Sequence, residues 1–273
     1  MRRERAPVAP AGEDVSAGLF DIRGAVALVT GGSRGIGFGI ARGLVEAGAT
    51  VFITARTAVD CDAAATELSA AGNCISRPCD LSNVAGIGEL AGDIGSRVSH
   101  LNILVNNAGV TWGEQLETYP EEQWDAVVDV NLKAPFFLVQ QFLPLLRNAA
   151  SPDNPARVIN VGSIAAMIPM ARNSYAYAAS KAGLHHLTRV MARHLAPAVN
   201  VNAIAPGAVE TRMIAFALKD RADRATLASQ IPRGLVGQGA DIAGVAIFLA
   251  SRAASYVTGA VIPVDGGLSL RNP

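Results

Sequence analysis

Cysteine is scarce: Cys61, Cys74 and Cys79 are the only three among 273 residues. An odd number without metal-ligand spacing gives neither a disulfide framework nor a metal site, so the sequence predicts free thiols in a reducing compartment and no metal. Histidine is nearly as rare. His100, His185, His186 and His194 have no ligand spacing with carboxylates and are expected to face mostly solvent. Net charge is lacking too, because 23 basic residues balance 23 acidic ones. That leaves no electrostatic footprint for nucleic acid or an anionic membrane. Half the residues are apolar, yet no uncharged apolar run is long enough to span a bilayer. The first eighteen residues, "MRRERAPVAPAGEDVSAG", lack the apolar stretch of a secretory signal, and Glu4, Glu13 and Asp14 do not suit a transit peptide. Residues 1–18 are expected to be a disordered extension on a cytoplasmic protein.

From Leu19 onward the pattern alternates. Apolar, β-branched runs occur at "AVALVT", "TVFITA", "ILVNN", "ARVINVGS", "VNVNAIAP" and "AVIPVDGG". A weaker strand is expected at 73–79. Helical periodicity fills stretches such as 38–47, 59–71, 120–148 and 177–195. Near-continuous apolar strands alternating with helices predict a parallel sheet of about seven strands, covered by helices on both faces. No linker divides residues 19–273, so the reading is α/β: one doubly wound, Rossmann-type domain.

Glycine is abundant, and it is concentrated where strand turns to helix. In "ALVTGGSRGIGFGIARGL", Gly31, Gly35 and Gly37 follow the first strand. A nucleoside-triphosphate loop would need lysine after its last glycine, but Phe38 stands there. The dinucleotide reading fits: Gly31 makes the turn, Gly35 admits the pyrophosphate to the backbone, and Gly37 lets helix approach sheet. A plain glycine-rich turn is the alternative. The second strand ends in "VFITAR". An acid at that tip would bind a free ribose 2′-hydroxyl, whereas an arginine accommodates a 2′-phosphate. Ala55 and Arg56 stand there, and Arg34 adds a cation from the glycine loop, so the cofactor is expected to be NADP(H). Asp60 is expected to cap the next helix.

Four more fragments carry chemistry: "NNAG" (Asn106–Gly109), "NVGS" (Asn160–Ser163), "YAASK" (Tyr177–Lys181) and "PGAVET" (Pro206–Thr211). Residues four apart share a helix face, so Lys181 lies beside Tyr177. A phenol titrates near pH 10, and a neighbouring ammonium is expected to lower that value toward the range useful for acid–base work. Tyr175 has only Ala179 at the same spacing. An ordinary surface Tyr–Lys pair is the alternative.

Together with "TGGSRGIG", these fragments resemble the short-chain dehydrogenase/reductase family over nearly the whole chain after the extension. The resemblance implies roles residue by residue. Ser163 would hydrogen-bond the substrate oxygen and Tyr177 would exchange a proton with it. Lys181 would hold the nicotinamide ribose, Asp80 the adenine, and Thr211 the carboxamide. Asn106 and Gly109 would shape the cofactor wall, with Ser33, Ile36, Leu81, Asn107, Ala108, Pro206 and Gly207 completing the binding set. Each also has a mundane reading: Ser163 as a turn residue, Asp80 and Thr211 as helix caps. The fourth catalytic position implied is Asn131, mid-helix in "DVNLKAPFF", where a distortion frees its carbonyl for a relay water. Pro135 supplies a cause, having no N–H for the carbonyl four residues back.

The stretch over about 207–230 would form a lid, with Met213, Ile214, Phe216 and Leu218 as its apolar part. Ile164, Met167, Ile168 and Met170 would add walls. An apolar pocket suits an acyl or other lipophilic ketone better than a sugar. "TWGEQLETYP" and "QQFLPLLRNAASPDNPARVINVGS" are similar to NADPH-dependent β-ketoacyl reductases of the rhamnolipid-pathway type, which implies a 3-oxoacyl thioester substrate. Two alternatives stay open: NAD-dependent oxidation of a secondary alcohol, as on sugar acids or steroids, and a dinucleotide-binding sensor without turnover. The long apolar helices and the family resemblance imply a homo-oligomer, a tetramer or dimer, with tetramer preferred.

Overall fold

The computed structural model describes residues 18–169 and 173–270, without the side chains of Phe216 and Ala217. The expected extension therefore lies outside the described residues, apart from Gly18. Within them, the apolar runs form strands β1 (Val26–Thr30), β2 (Thr50–Thr54), β3 (Cys74–Ser76), β4 (Ile103–Asn106), β5 (Ala156–Val161), β6 (Val199–Pro206) and β7 (Val261–Val264). They make one seven-stranded sheet in the order β3-β2-β1-β4-β5-β6-β7, and every pairing is parallel.

β1 explains why such strands read as unbroken apolar runs. All five of its residues are buried. Ala27 and Val29 enter a core shared with Ile40, Leu44 and Leu249. Val26 and Leu28 enter the opposite core with Ile94, Phe142 and Leu146. Both faces are covered, so no polar alternation survives.

The covering helices are α1 (Gly35–Glu46), α2 (Ala58–Leu68), α3 (Val84–Arg97), α4 (Glu121–Val128), α5 (Ala134–Ala149), α6 (Tyr175–Leu195), α7 (Arg221–Ser229) and α8 (Gly239–Ala250). The helix expected over 120–148 is not continuous. A π segment, Asp129–Lys133, separates α4 from α5, and Ala134 N–H bonds the carbonyl of Asp129 five residues back. Pro135, the second residue of α5, has no N–H to restore α-geometry opposite residue 131. The expected distortion is therefore present.

Chain order reverses between β1 and β4, the switch point at which open α/β sheets form a crevice beyond the carboxyl ends of their strands.

Candidate active site

That crevice is a cleft of about 1240 Å³. Every residue assigned above to the cofactor except Asn106 lines it, and so do Ser163, Tyr177 and Lys181. Asn131 does not.

The floor is the glycine loop. Gly31 (φ 64°) and Gly35 (φ 58°) occupy the left-handed region, which only glycine enters at little cost. α1 begins at Gly35 with no side chain capping it, so its first N–H groups remain for an anion. The space a side chain on Gly37 would need is already taken: a Cβ there would lie 2.2 Å from the Gly31 carbonyl oxygen and 2.3 Å from Asn107 Nδ2. Gly37 thus lets α1 approach the ends of β1 and β4 closely, as the sequence suggests. Asn107 Nδ2 donates to the carbonyls of Thr30 (2.8 Å) and Gly31 (3.2 Å). Thr30 Oγ1 accepts the amides of Asn107 and Ala108 at 2.9 and 3.0 Å. The exits of β1 and β4 are tied into one rigid cradle, and that cradle fits a dinucleotide diphosphate.

At the end beside β2, where the adenosine is expected, the walls include Ala55, Arg56, Asp80 and Leu81. Asp80 Oδ1 accepts from the Ser82 amide (3.1 Å) and hydroxyl (2.9 Å), while the cap of α3 is Asn83. Asp60 is not the cap expected. The N-cap position of α2 is Thr57, and Asp60 lies within the first turn. Its carboxylate stands 4.0 Å from Arg34 Nη1.

At the other end, Ser163 ends the exit from β5. Its Oγ accepts from the Ala165 amide at 3.1 Å, and its side chain hydrogen-bonds Tyr177. Lys181 is buried, with Nζ 5.8 Å from the Tyr177 ring centre and donating to the Val161 carbonyl at 2.8 Å. One expectation needs correcting here. Burial pushes the Tyr177 phenol up from its ordinary value, and the Ser163 hydrogen bond, not the lysine, opposes that shift. Burial also pushes Lys181 down, to about 8.

Asn131 is fully buried and its side chain clamps rather than lines. Oδ1 accepts the Val110 amide (2.9 Å), and Nδ2 donates to the Val110 carbonyl (2.9 Å) and Ser180 Oγ (3.1 Å). It joins the π segment to the loop after β4 and to α6. Asn106, expected on the cofactor wall, instead faces the interior and donates to Asn160 Oδ1 at 2.9 Å. Its neighbour Gly109 does line the cleft. His185, expected in solvent, is also buried, whereas His186 and His194 are exposed.

The remaining wall is apolar where Ile164, Ile168, Met213, Ile214 and Leu227 line it. Met167 is exposed instead, and Leu218 is half-buried away from the cleft. Met170 and the Phe216 side chain lie outside the described residues. Thr211 packs over the glycine loop, its methyl 3.2 Å from where a Cβ on Gly35 would stand. The sequence reading missed a polar rim, with Glu114, Gln115, Asn173, Arg212 and Gln230 in the lining. The run after "NNAG" was the available signal for its first part. The three cysteines are free. Among the described residues no cluster of His, Cys, Asp or Glu is placed to hold a metal ion, and no helix is long and apolar enough to cross a membrane.

Residues 31–269 match the family model described as enoyl-(acyl carrier protein) reductase. Over 252 residues the chain is 49% identical to the rhamnolipids biosynthesis 3-oxoacyl-(acyl carrier protein) reductase of Pseudomonas aeruginosa, covering 92% of this chain and 98% of that one. It is 35% identical over 250 residues to the 2-dehydro-3-deoxy-D-gluconate 5-dehydrogenase of Escherichia coli, covering 91% and 96%. Among solved structures it superposes on the Pseudomonas aeruginosa RhlG/NADP active-site complex with a TM-score of 0.89 at 49% identity, covering 92% and 98%. A gluconate 5-dehydrogenase from Burkholderia cenocepacia in complex with NADP and tartrate gives 0.87 at 30% identity, covering 94% and 100%. With the glycine cradle, the serine, and the tyrosine–lysine pair converging on one cleft, the chain belongs to the short-chain dehydrogenase/reductase family.

Proposed function

We propose that this chain reduces a 3-oxoacyl thioester, or a similar lipophilic ketone, to a secondary alcohol with NADPH. The observation that carries the reading is the convergence of Ser163, Tyr177 and Lys181 on the cleft whose other end is the glycine cradle. The cradle and the α1 N-terminus would hold the diphosphate, and Arg34 and Arg56 the 2′-phosphate. When bound, NADPH supplies the hydride that the carbonyl carbon takes up. Ser163 donates a hydrogen bond to the ketone oxygen. Tyr177 gives that oxygen its proton, for which a phenol kept protonated by burial is suited. Lys181, anchored on Val161, stabilises the phenolate left behind and holds the nicotinamide ribose. Asn131 acts from the second layer, fixing Val110 and Ser180, and its main-chain carbonyl lies in the π segment where a relay water is expected. The lid over 207–230 contributes Met213, Ile214 and Leu227, which suit an acyl chain.

The polar rim favours a second reading, oxidation of a sugar acid with a nicotinamide cofactor. One screen separates the two: NADPH and NADH consumption with acetoacetyl and longer 3-oxoacyl thioesters, against reduction of the same cofactors' oxidised forms by sugar acids, polyols and steroids. The thioesters with NADPH are expected to give the highest kcat/KM. Turnover of a sugar acid without turnover of any thioester overturns the first reading.

We also read the chain as a cytoplasmic homo-oligomer, preferably a tetramer. Support comes from large apolar side chains left 40–42% exposed on successive helices: Trp124 on α4, Phe136 on α5 and Val190 on α6. Light scattering at micromolar concentration is expected to give a mass four times the protomer's, and a monomer contradicts the reading.

A further inference from the structure

α6 presents a column of polar side chains to the end of β5. Lys181 Nζ donates to the Val161 carbonyl at 2.8 Å. Further along, Thr188 Oγ1 accepts from Asn160 Nδ2 at 2.8 Å. Between them lies His185, only 5% exposed and one turn from Lys181 on the same face. Its Nε2 accepts the Ser163 amide at 3.4 Å. The imidazole also fills the space beside Gly162, where a Cβ would stand 2.0 Å from Nε2. Residues 160, 161 and 163, which carry the chain out of β5, are therefore each held by a side chain of the helix that bears Tyr177.

The bond requires a neutral ring with its proton on Nδ1. Burial, the Lys181 ammonium and the Arg189 guanidinium push the imidazole down to about 4, so it is neutral at pH 7. The amide it holds governs the hydroxyl. Ser163 Oγ is itself fixed by the Ala165 amide at 3.1 Å, so a shift of the Ser163 backbone carries Oγ with it.

We propose that His185 is a positioning residue: by accepting the Ser163 amide and filling the space beside Gly162, it sets the Ser163 hydroxyl at its working distance from Tyr177. The inference rests on the roles of Ser163 and Tyr177 proposed above. A misplacement of about 1 Å at a reacting group costs on the order of a hundredfold in rate, so the effect belongs in kcat.

Two variants and one spectrum test it. His185→Phe keeps an aromatic ring but removes the acceptor. His185→Gln carries a side-chain oxygen near the place of Nε2. With a 3-oxoacyl thioester and NADPH, H185F is expected to lose about ten- to a hundredfold in kcat. H185Q is expected to keep at least roughly a third of it, and both should bind NADPH within about twofold of wild type by fluorescence titration. Equal loss in both variants, wild-type kcat in H185F, or a fall in NADPH affinity that matches the fall in kcat overturns the proposal, because simple core packing would give one of these. The imidazole nitrogen-15 shifts of the wild-type protein need no variant to fold. An unprotonated Nε2 with a protonated Nδ1 is expected at pH 7, and the reverse tautomer overturns the proposal. Wild-type turnover is measured alongside. A wild type that turns over no thioester strikes the functional reading, while the tautomer still decides whether His185 accepts from Ser163.

Discussion

The two ends of the cleft are built on opposite principles. At the end that holds Ser163 and Tyr177, the residues Asn131, Lys181 and His185 are at most 5% exposed, and their polar atoms bond to the backbone of Val110, Val161 and Ser163 and to the Ser180 hydroxyl. At the end expected to meet the adenosine, Arg34 and Arg56 are both exposed, Arg34 retaining 54% of its side-chain surface. Its ion-pair partner among the described residues, Asp60, is 48% exposed and sits at the limit of ion-pair distance, 4.0 Å. Buried polar groups interact in a low effective dielectric and are costly to leave unpaired. Exposed charges are screened, and each pair is worth little. Substitutions at the buried end should therefore act on rate and act strongly. Those at the exposed end should act on affinity, in graded steps that salt can tune.

The largest effect expected is from Tyr177→Phe. The ring stays, so the half-buried packing and NADPH affinity should hold within about twofold. Only the hydroxyl proposed to give the proton is lost, together with its bond to Ser163, and general acid catalysis is worth roughly a hundred- to ten-thousandfold. Steady-state kinetics on a 3-oxoacyl thioester should show a fall of that order in kcat. A variant that keeps a tenth of wild-type activity would remove Tyr177 from the acid role and erase the contrast between the ends.

A smaller change, confined to cofactor choice, is expected from Ala55→Asp combined with Arg56→Ala. Both residues line the cleft. The pair of changes adds an acid that repels a 2′-phosphate and removes one guanidinium. Charge-assisted hydrogen bonds are each worth about 1.5–3 kcal/mol, and 1.4 kcal/mol is tenfold. The ratio of kcat/KM for NADPH over NADH should fall by at least about tenfold, mostly through KM. Unchanged selectivity would mean that neither residue meets the 2′-phosphate.

How legible each end was follows from the same contrast. The sheet could be read directly, because strands buried on both faces leave unbroken apolar runs, as β1 does. The glycine loop and the tyrosine–lysine spacing were legible because each is local: turn chemistry in one case, one helix face in the other. Pro135 announced the π segment for the same reason. The buried polar network was not legible. His185 looks like a solvent histidine in "KAGLHHLTR", and its burial is decided by Gly162, 23 positions earlier, whose missing side chain makes the room. The inward turn of Asn106 depends on Asn160, its register partner across β4 and β5. The upward shift of Tyr177 is set by burial, which i,i+4 spacing does not report. Asp60 was misassigned on a finer point: it sits in the first turn of α2 rather than at its cap, so its carboxylate is free to face Arg34.

That last placement gives the smallest effect, and the finest test of the exposed end. Asp60 and Arg34 face each other across 4.0 Å. A 2′-phosphate engaging Arg34 must compete with this carboxylate and tolerate its charge. An exposed pair of this kind is worth roughly 0.2–1 kcal/mol, so Asp60→Asn should tighten NADP+ binding by about 1.4- to fivefold. NAD+, which has no 2′-phosphate, should bind as before, and kcat should not move, because Asp60 is remote from Ser163 and Tyr177. Calorimetric titration of both cofactors at low and high salt measures this. The gain should shrink as salt rises, since the Debye length falls to about 3 Å at 1 M. If D60N instead weakens NADP+ binding, the carboxylate orients Arg34 toward the phosphate rather than competing for it, and the exposed end is as pre-organised as the buried one.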